Sequence, residues 1–138
     1  MYSLFVGGIS PQTYINGEHR HGMYGTVFVA PLMTWCLRQS VIDDALKEKE
    51  IHLLRLCPVA WISSEEETVF EKMPTEYGQV NLRFKLSKDK KTLNVSFSGN
   101  WNEKPAKVIL HTPPIPGLNK IVFNGKSYSA KGEIKVQM

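Results

Sequence analysis

The segment Asn16-Gly17-Glu18-His19-Arg20-His21-Gly22 holds the densest group of reactive side chains in the sequence. In extended backbone, alternate residues share a side, so His19 and His21 face together with the Glu18 carboxylate nearby, an arrangement suited to a metal ion or an acid/base pair. Two histidines are too few for a metal centre, and His52 and His111 are far away in strand patterns, so no metal site is expected. The ligand-binding candidates of this loop are Glu18, His19 and Arg20: the carboxylate accepts hydroxyl hydrogen bonds, and the guanidinium forks onto a carboxylated sugar. No glycine-rich phosphate loop, nucleophile elbow or triad spacing is present, and no cofactor is expected.

Three tryptophans are the other candidates, because an aromatic face stacks on a sugar as readily as it fills a core. Trp35 lies on an apolar helical stripe and is expected in the core. Trp61, in Pro58-Val59-Ala60-Trp61-Ile62, is expected to plug the junction between helix and sheets. Trp101 differs, since Ser98-Gly99-Asn100-Trp101-Asn102-Glu103 reads as a polar loop, and it is the tryptophan expected to touch a ligand. Asp43-Asp44 and Glu65-Glu66-Glu67 read as solvated charge.

The elements that must position these groups are ordered simply. Residues 2–24 are glycine-rich and aperiodic, a set of turns. A helix is expected over 31–46, entered at Pro31, with Phe28, Leu32, Trp35, Gln39, Ile42 and Leu46 on one stripe and the charged run Lys47-Glu48-Lys49-Glu50 at its end. Strand patterns follow. Residues 51–56 are apolar enough for a strand covered on both faces. Val80, Leu82, Phe84 and Leu86 alternate with polar neighbours, as do Leu93, Val95 and Phe97, and the turn 88–91 makes them a hairpin. Residues 107–111 form a further strand, and 118–123 meets 126–128 across Asn124-Gly125, a strong hairpin signal. The fold class is therefore mainly β, an antiparallel β-sandwich preceded by one amphipathic α-helix. Residues 1–50 are expected as loop plus helix, the remnant of a helical domain, and 51–138 as the sandwich.

Composition narrows the function. A chain of 138 residues, 42% hydrophobic and 22% charged, can build one real core. The net charge of +4 comes from lysines scattered singly over the β half, which suits solubility and blocked sheet edges, not a nucleic-acid surface. Two cysteines, Cys36 and Cys57, form no disulfide framework or metal spacing and read as small buried hydrophobes. No apolar run reaches membrane-spanning length, and the start lacks the charged and apolar regions of a signal peptide. A periplasmic or extracellular parent would carry its signal upstream.

Several stretches then resemble a known architecture: Gly22-Met23-Tyr24, the helix Val29-Ala30-Pro31-Leu32-Met33-Thr34-Trp35-Cys36-Leu37-Arg38-Gln39, the segment from Ile51-His52-Leu53-Leu54-Arg55-Leu56 through Cys57-Pro58-Val59-Ala60-Trp61-Ile62, and the turn Met73-Pro74-Thr75-Glu76-Tyr77-Gly78-Gln79-Val80. They are similar to the C-terminal part of large bacterial glycoside-hydrolase-like proteins, in which an (α/α)6 toroid delivers its last helix into a β-sandwich. Ile121-Val122-Phe123-Asn124-Gly125-Lys126 looks like a late strand and turn of such sandwiches. The resemblance covers the chain from about residue 18, and its motifs are structural junctions. It implies a parent acting on carbohydrate, a toroid carrying the sugar cleft, and a sandwich bracing the last helix. Most of the toroid is missing here, so no catalytic residue is carried over.

The leading expectation is a non-catalytic C-terminal accessory domain of a glycoside-hydrolase-like protein, with the helical toroid as its partner. The alternative is an independent carbohydrate-binding module using Trp101 with Tyr77 or Tyr128. A small hydrolase built on Glu18 with His19 or His21 is the third. The apolar stripe must be covered by the sandwich or by another copy of the chain, so self-association through the helix is also expected.

Overall fold

The structure, a computed structural model, describes residues 29–136. Helix α1 runs Val29–Val41, with Pro31 in the first turn, where backbone N–H groups have no intrahelical partner. It stops five residues before the expected end because its last carbonyls are taken from outside. Leu56 N donates to Ser40 O at 3.0 Å and Leu54 N to Val41 O at 2.8 Å. The β-branched Ile42 then opens a short strand, and the Asp43 carboxylate holds the turn after it, accepting from Ala45 N and Leu46 N at 3.1 Å each.

Nine strands follow in chain order: β1 (Ile42–Asp43), β2 (Glu50–Leu53), β3 (Thr68–Thr75), β4 (Gly78–Leu86), β5 (Thr92–Trp101), β6 (Lys107–His111), β7 (Lys120–Phe123), β8 (Lys126–Ser129) and β9 (Glu133–Val136), with a single-turn helix α2 (Val59–Ile62) between β2 and β3. They make a four-stranded sheet, β1-β2-β6-β9, and a five-stranded sheet, β3-β4-β5-β7-β8, packed against each other as a β-sandwich. Pairing is mainly antiparallel, but β2 pairs with β6 and β5 with β7 in parallel.

The chain divides into two compact units, Met1–Arg38 and Gln39–Met138. Residues 39–50, expected with the helix, thus belong with the sheets, since β1 and Glu50 are already part of the four-stranded sheet. In the first unit, Leu32 and Trp35 are 56% and 50% exposed. Trp35, expected in the core, is not there. The stripe residue Ile42 is fully buried, but as part of β1.

The core of the second unit lies between the sheets. On β4 and β5, Leu82 opposes Phe97, Phe84 opposes Val95 and Leu86 opposes Leu93, all facing inward as the alternation predicted. Ile51, Leu53, Val108, Leu110 and Ile134 supply the facing layer. Each such side chain contributes about 1.5–3 kcal/mol by leaving water. β2 is shorter than expected because Leu54 turns the chain with φ 59°, leaving Leu56 exposed. β3 has no counterpart in the sequence reading. It is an edge strand, kinked by a bulge near Lys72 and containing Pro74, so its alternation is broken. Asn124-Gly125 turns the β7–β8 hairpin with φ 46° and 81°, both positive as a type I′ turn demands.

Segment 43–49 and the β3–β4 turn tie the sheets together. The Tyr77 hydroxyl accepts from Lys49 N at 2.7 Å, and the Asp44 carboxylate accepts from Glu76 N at 2.8 Å and from Gln39 Nε2 at 3.2 Å. Asp43 and Asp44, expected as solvated charge, are therefore buried, each meeting donors that replace water. Tyr77→Phe leaves the Lys49 amide without this acceptor and is expected to cost about 1–3 kcal/mol in urea unfolding with an unchanged m-value. The exposed control Leu56→Ala should change stability by less than about 0.5 kcal/mol.

Candidate functional site

Glu18, His19 and Arg20 lie outside the described residues. Trp101 is described, and it is not in a loop: it ends β5, paired with Gly78. Counted along β5 it shares the inward parity of Leu93, Val95, Phe97 and Gly99, so its indole turns toward the end of the core, not out to solvent. Gly99 makes this possible. A Cβ there would lie 2.2 Å from Trp101 Cζ2, 2.4 Å from Cη2 and 2.5 Å from Cε2. Only glycine leaves that space, although glycine in a strand costs about 0.5–1 kcal/mol relative to alanine. The indole is partly buried and leans on Phe97, with ring centres 6.1 Å apart at 52°.

Beyond the indole the two sheets leave a cleft of about 310 Å³, into which Trp101, Tyr128, Lys126 and Val136 face. Tyr128 reaches it because β8 pairs Tyr128 with the buried Ile121. Asn124 also borders the cleft, but its amide is already used: it accepts from Phe97 N and donates to Phe97 O, both at 2.8 Å, extending the β5–β7 ladder by a side chain. Of the two tyrosines weighed as stacking partners, the structure brings Tyr128 to Trp101. Tyr77 is buried in the inter-sheet tie, and burial pushes its phenol above the ordinary value. Trp61 sits on α2 and packs against Phe70 of the edge strand, with centres 6.2 Å apart.

A second constellation was not foreseen. The parallel register of β2 and β6 sets His52 beside Ile109 and brings His111 within reach, with His52 Nδ1 and His111 Nε2 2.9 Å apart. One of these nitrogens donates and the other accepts. Glu50 Oε2 lies 3.5 Å from His52 Nε2, which makes no hydrogen bond. His111 Nδ1 faces Glu133 Oε1 at 3.7 Å on β9. A Glu50–His52–His111–Glu133 row thus crosses three strands, and Arg55 pairs with Asp43 at 2.9 Å alongside. Glu50 Oε1 also accepts from Lys47 and Lys107, at 3.1 and 3.2 Å, and the Lys47 hydrogen bond is the main reason its carboxyl lies below the ordinary value. Within the row only the link between the two imidazoles is of hydrogen-bond length, and His52, 6% exposed, offers a substrate no approach. Nothing in the sequence pattern signals it, because two histidines 59 positions apart meet only through a parallel pairing.

A wider cavity, about 720 Å³, is lined by Lys85, Lys88, Lys90 and the serines 63, 64 and 87. Its lysines are solvent-exposed, Lys85 on β4 and Lys88 and Lys90 on the hairpin turn, and Glu65 shares the lining. Among the described residues no group of three or more metal-binding side chains converges, and no helix is long and apolar enough to cross a membrane. Set against known proteins, the chain matches no family model, no curated protein and no solved structure.

Both cysteines are free thiols, Cys36 exposed and Cys57 buried, which corrects the expectation that both are buried. Burial pushes the Cys57 thiol up to about 12. Iodoacetamide at about pH 8 should therefore alkylate Cys36 in the native protein, and Cys57 only after denaturation, as read by mass spectrometry. Burial also holds the His111 imidazole below its ordinary value; Glu133 and Asp43 oppose the shift, while His52 and Arg55 add to it. The unfolded chain then takes up this proton before the native one does. Stability should be full above about pH 6.5 and fall with pH below it, down to where folded His111 is protonated too. Thermal melts of His111→Asn should show a shallower loss over that window than the unsubstituted chain.

Proposed function

We propose that this chain is the non-catalytic accessory β-sandwich of a glycoside-hydrolase-like protein, bracing a helical sugar-cleaving domain. The observation that carries the reading is the contrast between the two units. The sandwich closes its own core, yet the helix before it leaves Leu32 and Trp35 more than or about half exposed. Large apolar side chains at i and i+3 form the kind of stripe that helices bury against other helices. The toroid of the family this sequence resembles would provide them.

The chemistry of the buried carboxylates supports a bracing role. Asp43 is spent on a turn and on Arg55, Asp44 on the Glu76 amide and Gln39, and Glu50 on two lysines. An acid that cleaves a glycosidic bond must instead present its oxygen to substrate.

The chain alone should release no reducing ends from a panel of plant, algal and animal polysaccharides; release would overturn the accessory role. Sedimentation should show concentration-dependent association of the purified chain, and Leu32→Ser/Trp35→Ser should shift it to monomer. The unfolding midpoint of the sandwich should move by less than about 0.5 kcal/mol equivalent, since both residues are already exposed. Equal sedimentation of the two proteins would remove the apolar stripe as a docking surface.

A further inference from the structure

The cleft at the open end of the sandwich has the chemistry of a small polar ligand with one apolar face. Trp101 and Tyr128 supply aromatic surface from two different strands, and both are only partly buried. Among the described residues, the indole N–H of Trp101, the Tyr128 hydroxyl and the Lys126 ammonium carry no hydrogen bond. Between them they offer three kinds of donor and one acceptor at the border of that surface. A pyranose ring matches this set: its axial hydrogens form a weakly positive face that suits the negative face of an indole, and its equatorial hydroxyls point outward to donors. At about 310 Å³ the cleft lies at the low end of ligand sites and holds a ring or two, not a long chain laid flat.

We infer that this cleft is a carbohydrate subsite in which Trp101 and Tyr128 flank one pyranose ring, with Gly99 as the positioning residue that seats the indole. Here the missing Cβ lets the ring settle on the strand's own backbone and keeps it partly open to solvent. Lys126 is the charged side chain of the lining, so a carboxylated sugar gains an attraction that a neutral one lacks. The choice of carbohydrate over another flat ligand rests on the accessory-domain reading, but the cleft lies wholly within the second unit and does not involve the α1 stripe.

Titration calorimetry of the full chain with cellohexaose and with oligogalacturonate tests both arms of the ring chemistry. Saturable binding of at least one is expected, and Trp101→Ala should weaken it about tenfold or more. Gly99→Ala keeps the indole but denies its seat, and should weaken binding in the same direction. Lys126→Ala should weaken oligogalacturonate alone. Circular dichroism melts identify any variant that fails to fold; if Trp101→Ala does, Tyr128→Ala at the cleft mouth takes its place. The inference is overturned by no binding of either sugar, by unchanged binding in the folded Trp101 or Tyr128 variant, or by equal binding of adenosine, which would mean indiscriminate stacking. Leu32→Ser/Trp35→Ser should bind sugar like the unsubstituted chain, so a failed docking role and a failed subsite give different results.

Discussion

The sandwich depends on a knot between segment 43–49 and the β3–β4 turn, where a buried side-chain oxygen from each side accepts from a backbone N–H of the other. Tyr77 and Asp44 each leave water to reach these partners. A buried carboxylate or phenol is stabilising only when its lone pairs are met, so the knot is satisfied in one arrangement of the two sheets and costly in others. Apolar burial drives the sheets together without direction. The knot adds the direction.

Two consequences run from that arrangement. At one side, the helix gives up its last carbonyls to the residues after β2, so α1 ends at Val41 and the chain crosses into the sheet. At the other, the cleft lies beside Phe97 and Phe123, where Trp101 folds over Gly99. Asn124 holds the rim of that opening by replacing a strand partner with its own amide. The rim is therefore rigid at Asn124, while its aromatic walls come from strand positions whose inward parity has outrun the core.

Much of the fold was legible in the residues. Strict alternation in 80–86 and 93–97 identified the central hairpin and its inner face, and Asn124-Gly125 announced a turn that needs two positive φ angles. The edge strand β3 was not legible, because a bulge and a proline break its period. Asp43-Asp44 were misread for a related reason: charge in sequence suggests water, and the donors that replace water come from positions more than thirty residues away in the case of Glu76. Trp101 stood out as the tryptophan without an apolar stripe, and that signal located one wall of the cleft. Tyr128 as the other wall, and Tyr77 as its rejected rival, needed the β7–β8 register.

The sequence by itself determined the central hairpin, the Asn124-Gly125 turn, which faces of their strands are apolar, and that an amphipathic helix precedes them, because backbone sterics and side-chain alternation act over a few neighbouring residues. Only the tertiary structure decided the parallel pairings of β2 with β6 and β5 with β7. With them it decided the histidine row, the buried acids and the arrival of Trp101 and Tyr128 at one cleft. Such pairings join segments through closures of long loops, whose entropy depends weakly on length and not on residue type, so no local pattern records them.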